Sequence, residues 1–463
     1  MILALLLGAL PVLLLYGIFR YYLFTQRYPK GPTPLPFIGN FHQVDFRNQH
    51  QTYEKFAPDY DGVFTLFSPL PFVVLTSYEA VKEAFVEKGD DYAGRSTGIS
   101  EHLDEAFLYC KNGGVINSNG DNWREQRRVS LSILRDFGMG KNTMEHNVQS
   151  SISDFLKYID GLDDKSAVNM RWPLQLMVSN IVNEILFGYR YTYDNCQRLV
   201  KYVDDLNKMF SDVAEAKLLF LAIALPFIRH IPVLGWHAVG KHKDNTRKLT
   251  RVIEEEVEKA LIGFDKDADE ASCFVQAYFQ KMKEGEGYLN KDQLVAVCSD
   301  FFLAGQETTS TTLRWCVLYL AANPEQQQKL RDEVLAVVGR DRLPSMQDRT
   351  KMPYAQACVL ELQRKANILS TNVLHATTVD TTIQGMPIPA NTFVMADLHG
   401  LLARGPLFKN PEAFMPERYL TEDGKSLRKH YRLLPSDSGP VDLTPVVNAV
   451  IIPREQVLRL EKV

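Results

Sequence analysis

The stretch Ala304-Gly305-Gln306-Glu307-Thr308-Thr309 sets an acid beside an alcohol in otherwise apolar surroundings. Adjacent carboxyl and hydroxyl groups can take up protons and pass them to a bound ligand. The hydroxyls from Thr308 to Thr312 serve equally well if they simply bond back to carbonyls one helical turn earlier. A second candidate is Trp123 with Arg127, four residues apart and so on one helical face. An indole N–H and a guanidinium both donate to carboxylates, although a solvated basic face has the same pattern. Glu361 and Arg364 form an i, i+3 pair with the apolar neighbours Cys358, Leu360 and Leu362, which favours burial over the usual surface position. Arg95, His375 and Arg418 are further polar groups in loop or strand contexts.

The acid and alcohol need a long element. Leu294, Val297, Phe301 and Phe302 precede them at helical spacing, and Leu313, Val317 and Leu320 follow. Asn290 and Gln293 resemble a capping box, and Pro324 ends the pattern. The spacing predicts one helix from Asn290 to Asn323, roughly 50 Å long at 1.5 Å per residue, which must cross a core.

Elsewhere the reading is mixed. Val63 to Thr76 predicts a hairpin around Ser68-Pro69, and Tyr78 to Glu87 a short helix. Val148 to Lys259 is mainly helical, interrupted by the apolar run Leu218 to Ile228, which is too short to span a bilayer and is either buried or dips into headgroups. Helices are expected from Pro324 to Gly339 and from Pro353 through Leu362, and hairpins from His375 to Met395.

The chain has 463 residues, 45% hydrophobic, with 52 Lys plus Arg against 56 Asp plus Glu. The net charge of -4 leaves no electrostatic footprint for nucleic acid. The six cysteines, Cys110, Cys196, Cys273, Cys298, Cys316 and Cys358, include no CxxC pair, which argues against a disulfide framework and a structural zinc site. No dinucleotide-binding fingerprint is present.

Met1 to Phe19 carries no charge and is followed by Arg20, Arg27 and Lys30, which predicts an uncleaved membrane anchor with its positive flank on the cytoplasmic side. Pro29-Lys30-Gly31-Pro32-Thr33-Pro34-Leu35-Pro36 cannot be helical and reads as a stiff spacer. The division expected is an anchor over 1–20, a hinge over 21–36 and one domain over 37–463.

Taken in order, these segments resemble the cytochrome P450 haem-thiolate monooxygenases of the membrane-anchored, microsomal type. The proline-rich hinge, the Trp123/Arg127 helix, Ala304 to Thr309, Glu361-x-x-Arg364 and Pro416-Glu417-Arg418-Tyr419 each match a family motif. The resemblance implies a mainly α fold with small β-sheets, a haem cofactor and lipophilic small-molecule substrates. It also implies membrane lipid contact at the endoplasmic reticulum and an NADPH-dependent flavoprotein reductase as electron donor. By the same resemblance, Glu307 and Thr308 are the catalytic proton-delivery pair. Ala304 and Gly305 face the cofactor, and Arg95, Trp123, Arg127 and His375 are donors to the haem propionates. Glu361, Arg364 and Arg418 form a structural triad.

One departure stands out. The family's iron ligand is a cysteine thiolate in a Phe-x-x-Gly-x-Arg-x-Cys-x-Gly loop, and its electron push favours O–O cleavage. No cysteine follows Cys358 and no phenylalanine follows Phe414. The likeness breaks near Lys429 and His430 and resumes at once, with Leu443 to Leu460 resembling the closing strands, as if the ligand loop and the helix after it had been excised together. His430 and Tyr431 are the nearest replacement ligands, without the shaped loop. The expectation is a monooxygenase by descent whose activity is impaired by loss of the thiolate, with a non-catalytic, membrane-anchored lipophile- or partner-binding protein as the alternative.

Overall fold

The computed structural model describes residues 2–99, 101–139, 142–214, 217–282, 287–403, 408–424 and 426–427, and the backbone of three short strands beyond them. The expected break at 429–431 lies outside the described residues. Helices dominate and the sheets are small, as the sequence predicts. The chain divides into two compact units, each with its own core.

The first unit comprises Met1–Ala106, Glu215–His242 and Thr371–Leu401. It opens with helix α1, Ile2–Thr25. Val12 to Tyr16 and Phe19 on α1 are exposed. The side chains of residues 1–10, half of the expected anchor, lie outside the described residues. Among the described residues, no helix is long and apolar enough to cross a membrane.

The predicted hairpin forms from β1, Val63–Ser68, and β2, Leu70–Leu75. With β3, His375–Ala376, and β4, Phe393–Ala396, it makes a four-stranded sheet in the order β1-β2-β4-β3. β2 and β4 run parallel, Phe72 opposite Phe393, and β3 is antiparallel to β4, His375 opposite Val394.

The proline segment is not a free spacer, because it is bonded to this sheet. Asn40, fully buried, donates to Pro32 O at 2.9 Å and accepts from Phe67 N at 2.9 Å. Gly31 lies so close that a Cβ there would sit 2.0 Å from Thr65 O.

The apolar run in this unit is split. Leu219 and Ala222 are buried within the helix Lys217–Ala224, whereas Phe227, Ile231, Val233, Leu234 and Trp236 just after it are exposed. The prolines at 226 and 232 break the helix and turn these residues outward.

The second unit comprises Phe107–Ala214, Lys243–Ser370 and Leu402–Val463. Five of its helices carry the argument below: α2, Gly120–Asp136; α3, Arg171–Phe187; α4, Lys291–Ala322; α5, Pro324–Val337; and α6, Pro353–Ala366. The long helix α4 runs as expected, with Asn290 Oδ1 accepting from Gln293 N at 3.0 Å. The reciprocal half of the capping box is absent. The Gln293 side chain instead accepts from Gly114 N at 3.1 Å and donates to Asn112 O at 3.4 Å. Leu294, Val295, Val297, Cys298 and Phe302 enter a core shared with Leu186 and Phe187 of α3.

Asn40→Leu should remove both buried bonds and cost about 2 kcal/mol of stability. Trypsin would then cut at Arg27 and Lys30 faster than in the parent chain, as followed by mass spectrometry.

Candidate functional site

Glu307 and Thr308 occupy the middle of α4, and successive residues on a helix point about 100° apart. The structure therefore separates them. Glu307 is 2% exposed, and its Oε1 accepts from Thr311 Oγ1 at 3.1 Å. Burial raises its carboxyl above the ordinary range, opposed by the Thr311 hydroxyl and by Arg314, Arg171 and Asn207. Thr308 lies on a different, partly open side, where its hydroxyl donates to Ala304 O at 2.6 Å, and Thr312 donates to Thr308 O at 2.8 Å. Both back-bonds are the local use that the sequence allowed, and a Thr308 oxygen that donates its proton can still accept another.

Ala304 is exposed and Gly305 half-buried. The missing Cβ of Gly305 faces helix α3, where it would meet Val182 Cγ2 at 3.0 Å. Close packing of α3 on α4 is thus a reason for this glycine that is independent of any ligand.

The stripe of α4 that carries Ala304 and Thr308 has a head that sequence reasoning passed over. Asp300 is one turn before Ala304 and two before Thr308, hence on the same face. Its Oδ2 accepts from Val115 N at 2.7 Å and Ile116 N at 2.9 Å, and Gly114, with φ +77°, leaves it room. Burial pushes the carboxyl up to about 6 despite these two bonds. A carboxylate at i, i+4 to Ala304 in an apolar helix was the available signal.

Trp123 and Arg127 meet on α2, the guanidinium carbon 5.7 Å from the indole centroid, with Arg127 exposed. In the other unit, Arg95 and His375 come together through the β-bridge between Gly94 and Ala376, closed by Ala376 N donating to Gly94 O at 2.8 Å. His375 Nδ1 is 2.6 Å from Val373 O and 3.1 Å from Asn372 Nδ2. Burial first, and Arg95 second, lower its imidazole to about 4. At neutral pH it is an uncharged ring beside a fixed cation.

Glu361 and Arg364 are fully buried on α6, joined by two bonds of 2.9 and 3.0 Å. Arg418 Nε stands 3.0 Å from Glu361 Oε2, an ion pair without hydrogen-bond alignment. Arg364 also donates to Pro411 O at 2.6 Å and Leu402 O at 3.2 Å, and Met415 N donates to Glu361 at 2.9 Å. Both guanidiniums lie over the Phe408 ring, at 5.0 and 6.0 Å. The three side chains the resemblance groups are one cluster. Most of the donors of Arg364 and Arg418 go to backbone carbonyls or to Glu361, which suits a structural cluster.

Within each unit taken by itself the donor set fits the carboxylate edge of a haem, because Trp123 with Arg127 in one, and Arg95 with His375 in the other, are groups that bind anions. It does not fit at the iron. An axial thiolate must be deprotonated, and burial raises all six thiols: Cys110 and Cys316 to about 11, Cys358 to about 12, and Cys196, Cys273 and Cys298 upward as well. Cys358, the last of them, packs with Tyr354, Phe408 and Tyr419 as a small hydrophobe. Among the described residues, no cluster of three His, Cys, Asp or Glu side chains is placed to hold a metal ion.

Replacing Glu361 with Gln leaves two buried guanidiniums facing a neutral partner and should cost about 3–5 kcal/mol in denaturant unfolding. Asp300 has a folded value near 6 against about 4 unfolded, so its contribution is greatest below pH 4 and falls as pH rises through 6. Asp300→Asn should flatten that part of the stability–pH curve. In NMR titration, Arg95→Gln should raise the His375 midpoint from about 4 while leaving it below the free-imidazole value, because burial is the larger cause.

Residues 29–440 match the family model for cytochrome P450. The chain is 34% identical to cytochrome P450 2C55 of Rattus norvegicus over 93% of its length and 86% of that relative. It is 33% identical to cytochrome P450 2C8 of Homo sapiens, with the same coverage. It is 32% identical to cytochrome P450 2H1 of Gallus gallus over 89% of this chain and 82% of that one. The chain belongs to the cytochrome P450 family, the haem-dependent monooxygenases.

Proposed function

We propose that this member of the cytochrome P450 family keeps the ligand-facing half of a monooxygenase site and binds lipophilic small molecules, xenobiotic or lipid- and steroid-like. It does not oxidise them by the haem-thiolate route. The observation that carries this reading is the cysteine complement. None of the six follows Cys358, none stands in the family's ligand-loop context, and burial holds all of them as thiols.

On the retained side, Ala304 and Thr308 present the partly open face of the long helix, and Asp300 fixes the backbone of Val115 and Ile116 at its head. Arg95, Trp123, Arg127 and His375 are the groups that would receive haem propionates. Glu307 is the buried acid behind Thr308, and Gly305 serves the packing that holds them. Glu361, Arg364 and Arg418 keep α6 tied to the segment that precedes the missing loop. Haem taken up by this chain would be held by its edge and would lack the thiolate.

The reading places the chain at the endoplasmic reticulum membrane, with the body on the cytoplasmic side. The uncharged Met1–Phe19 run followed by Arg20, Arg27 and Lys30 supports it, as do the exposed apolar residues Phe227, Val233 and Trp236. A flavoprotein reductase remains the partner that the family implies, with 1–20 as anchor, 21–36 as hinge and 37–463 as the domain.

Expression with added haem, followed by reduction under carbon monoxide, should give no thiolate-type absorption band. Appearance of that band would overturn the proposal. A fluorescent lipophile should still bind saturably, and Asp300→Leu should weaken it several-fold.

A further inference from the structure

A cleft of about 460 Å³ opens in the second unit where the carbonyl end of α4 meets the segment after Pro411, with Tyr319, Ala322 and Gln326 on one side and Glu412, Ala413 and Phe414 on the other. Both walls are fixed by bonds of their own. Asn323 turns the chain from α4 into α5, its Nδ2 donating to Tyr319 O at 2.7 Å and its backbone N to Leu320 O at 3.3 Å. Opposite, Arg364 donates to Pro411 O at 2.6 Å and to Ala413 O at 3.3 Å, and Met415 N donates to Glu361 Oε1 at 2.9 Å. The cleft is held open by the protein itself, as ligand sites usually are.

Its floor is apolar. The rings of Tyr319 and Phe414 lie stacked and largely buried, their centroids 5.4 Å apart and their planes 15° from parallel. Ala322 and Ala413, both exposed, leave the mouth clear of bulky side chains.

Its polar groups favour a positive charge. The last four carbonyls of a helix lack partners within the helix and form the negative end of its dipole. Asn323 covers two of them, and among the described residues Ala321 O and Ala322 O receive no backbone donor. Glu412 adds a full negative charge at the rim, its side chain 86% exposed. Lys365 pairs with it only at long range: its Nζ stands 3.6 Å from Glu412 Oε2 and donates to Pro411 O at 3.4 Å. An anion entering the cleft would meet both the carboxylate and the carbonyl end of α4.

We propose that this cleft binds an organic cation, an ammonium or amidinium group carried on a flat apolar body. The charge lies between Glu412 and the end of α4, where the Gln326 amide can accept from it, and the body lies against the Tyr319–Phe414 pair. Ala322 follows Thr308 by fourteen residues, about 21 Å along the helix, so this site is separate from the open face that carries Ala304 and Thr308.

Fluorine NMR of para-fluorobenzamidine with the full chain tests it. The probe resonance should broaden saturably as protein is added, and neutral para-fluorobenzamide and anionic para-fluorobenzoate should bind more weakly. Glu412→Gln, at a side chain too exposed to disturb folding, should weaken binding about three- to fivefold, the scale of one solvent-exposed ion pair. Ala413→Trp should fill the mouth and abolish binding. The proposal is overturned if benzamidine binding does not saturate, if the benzoate binds as well as the amidine, or if either variant binds the probe as the parent chain does.

Discussion

Burying a 32-residue helix that carries ionisable and amide side chains is the constraint on which the rest of the second unit depends. Several buried polar groups on α4 find partners on other segments, and each such bond fixes the segment it reaches. Asp300 fixes the backbone at Val115 and Ile116, Gln293 reaches Gly114 and Asn112, and Gln306 and Ser310 reach across to α3. The helix is therefore a template whose polar side chains specify their neighbours, and its open face is what the neighbours leave uncovered. Ala304 and Thr308 form that face because nothing on the other elements of the unit needs them.

The same logic governs α6. Arg364 balances the buried charge of Glu361, Arg418 pairs with the same carboxylate, and the two guanidiniums then have donors left for Leu402, Pro411, Lys409 and Asn410. A run of irregular backbone is held by one carboxylate acting through two cations.

Much of the site was legible in the residues themselves. The Asn290–Asn323 pattern, its cap and its proline stop gave α4 to within a residue at each end, because periodicity and capping are local. The pairing of Trp123 with Arg127 and of Glu361 with Arg364 followed from helical spacing. That no cysteine follows Cys358 is likewise read from the sequence alone.

Only the tertiary structure decided which way each side chain faces and who meets it. Glu307 and Thr308 are neighbours in sequence and diverge in space because a helix turns about 100° between them. Gly305 turned out to face Val182, Asp300 to hold a distant loop, and the proline hinge to be bonded through Asn40 to the sheet. Those outcomes rest on contacts between residues tens to hundreds of positions apart, and no local pattern of side-chain types encodes which of several chemically equivalent partners will be within reach.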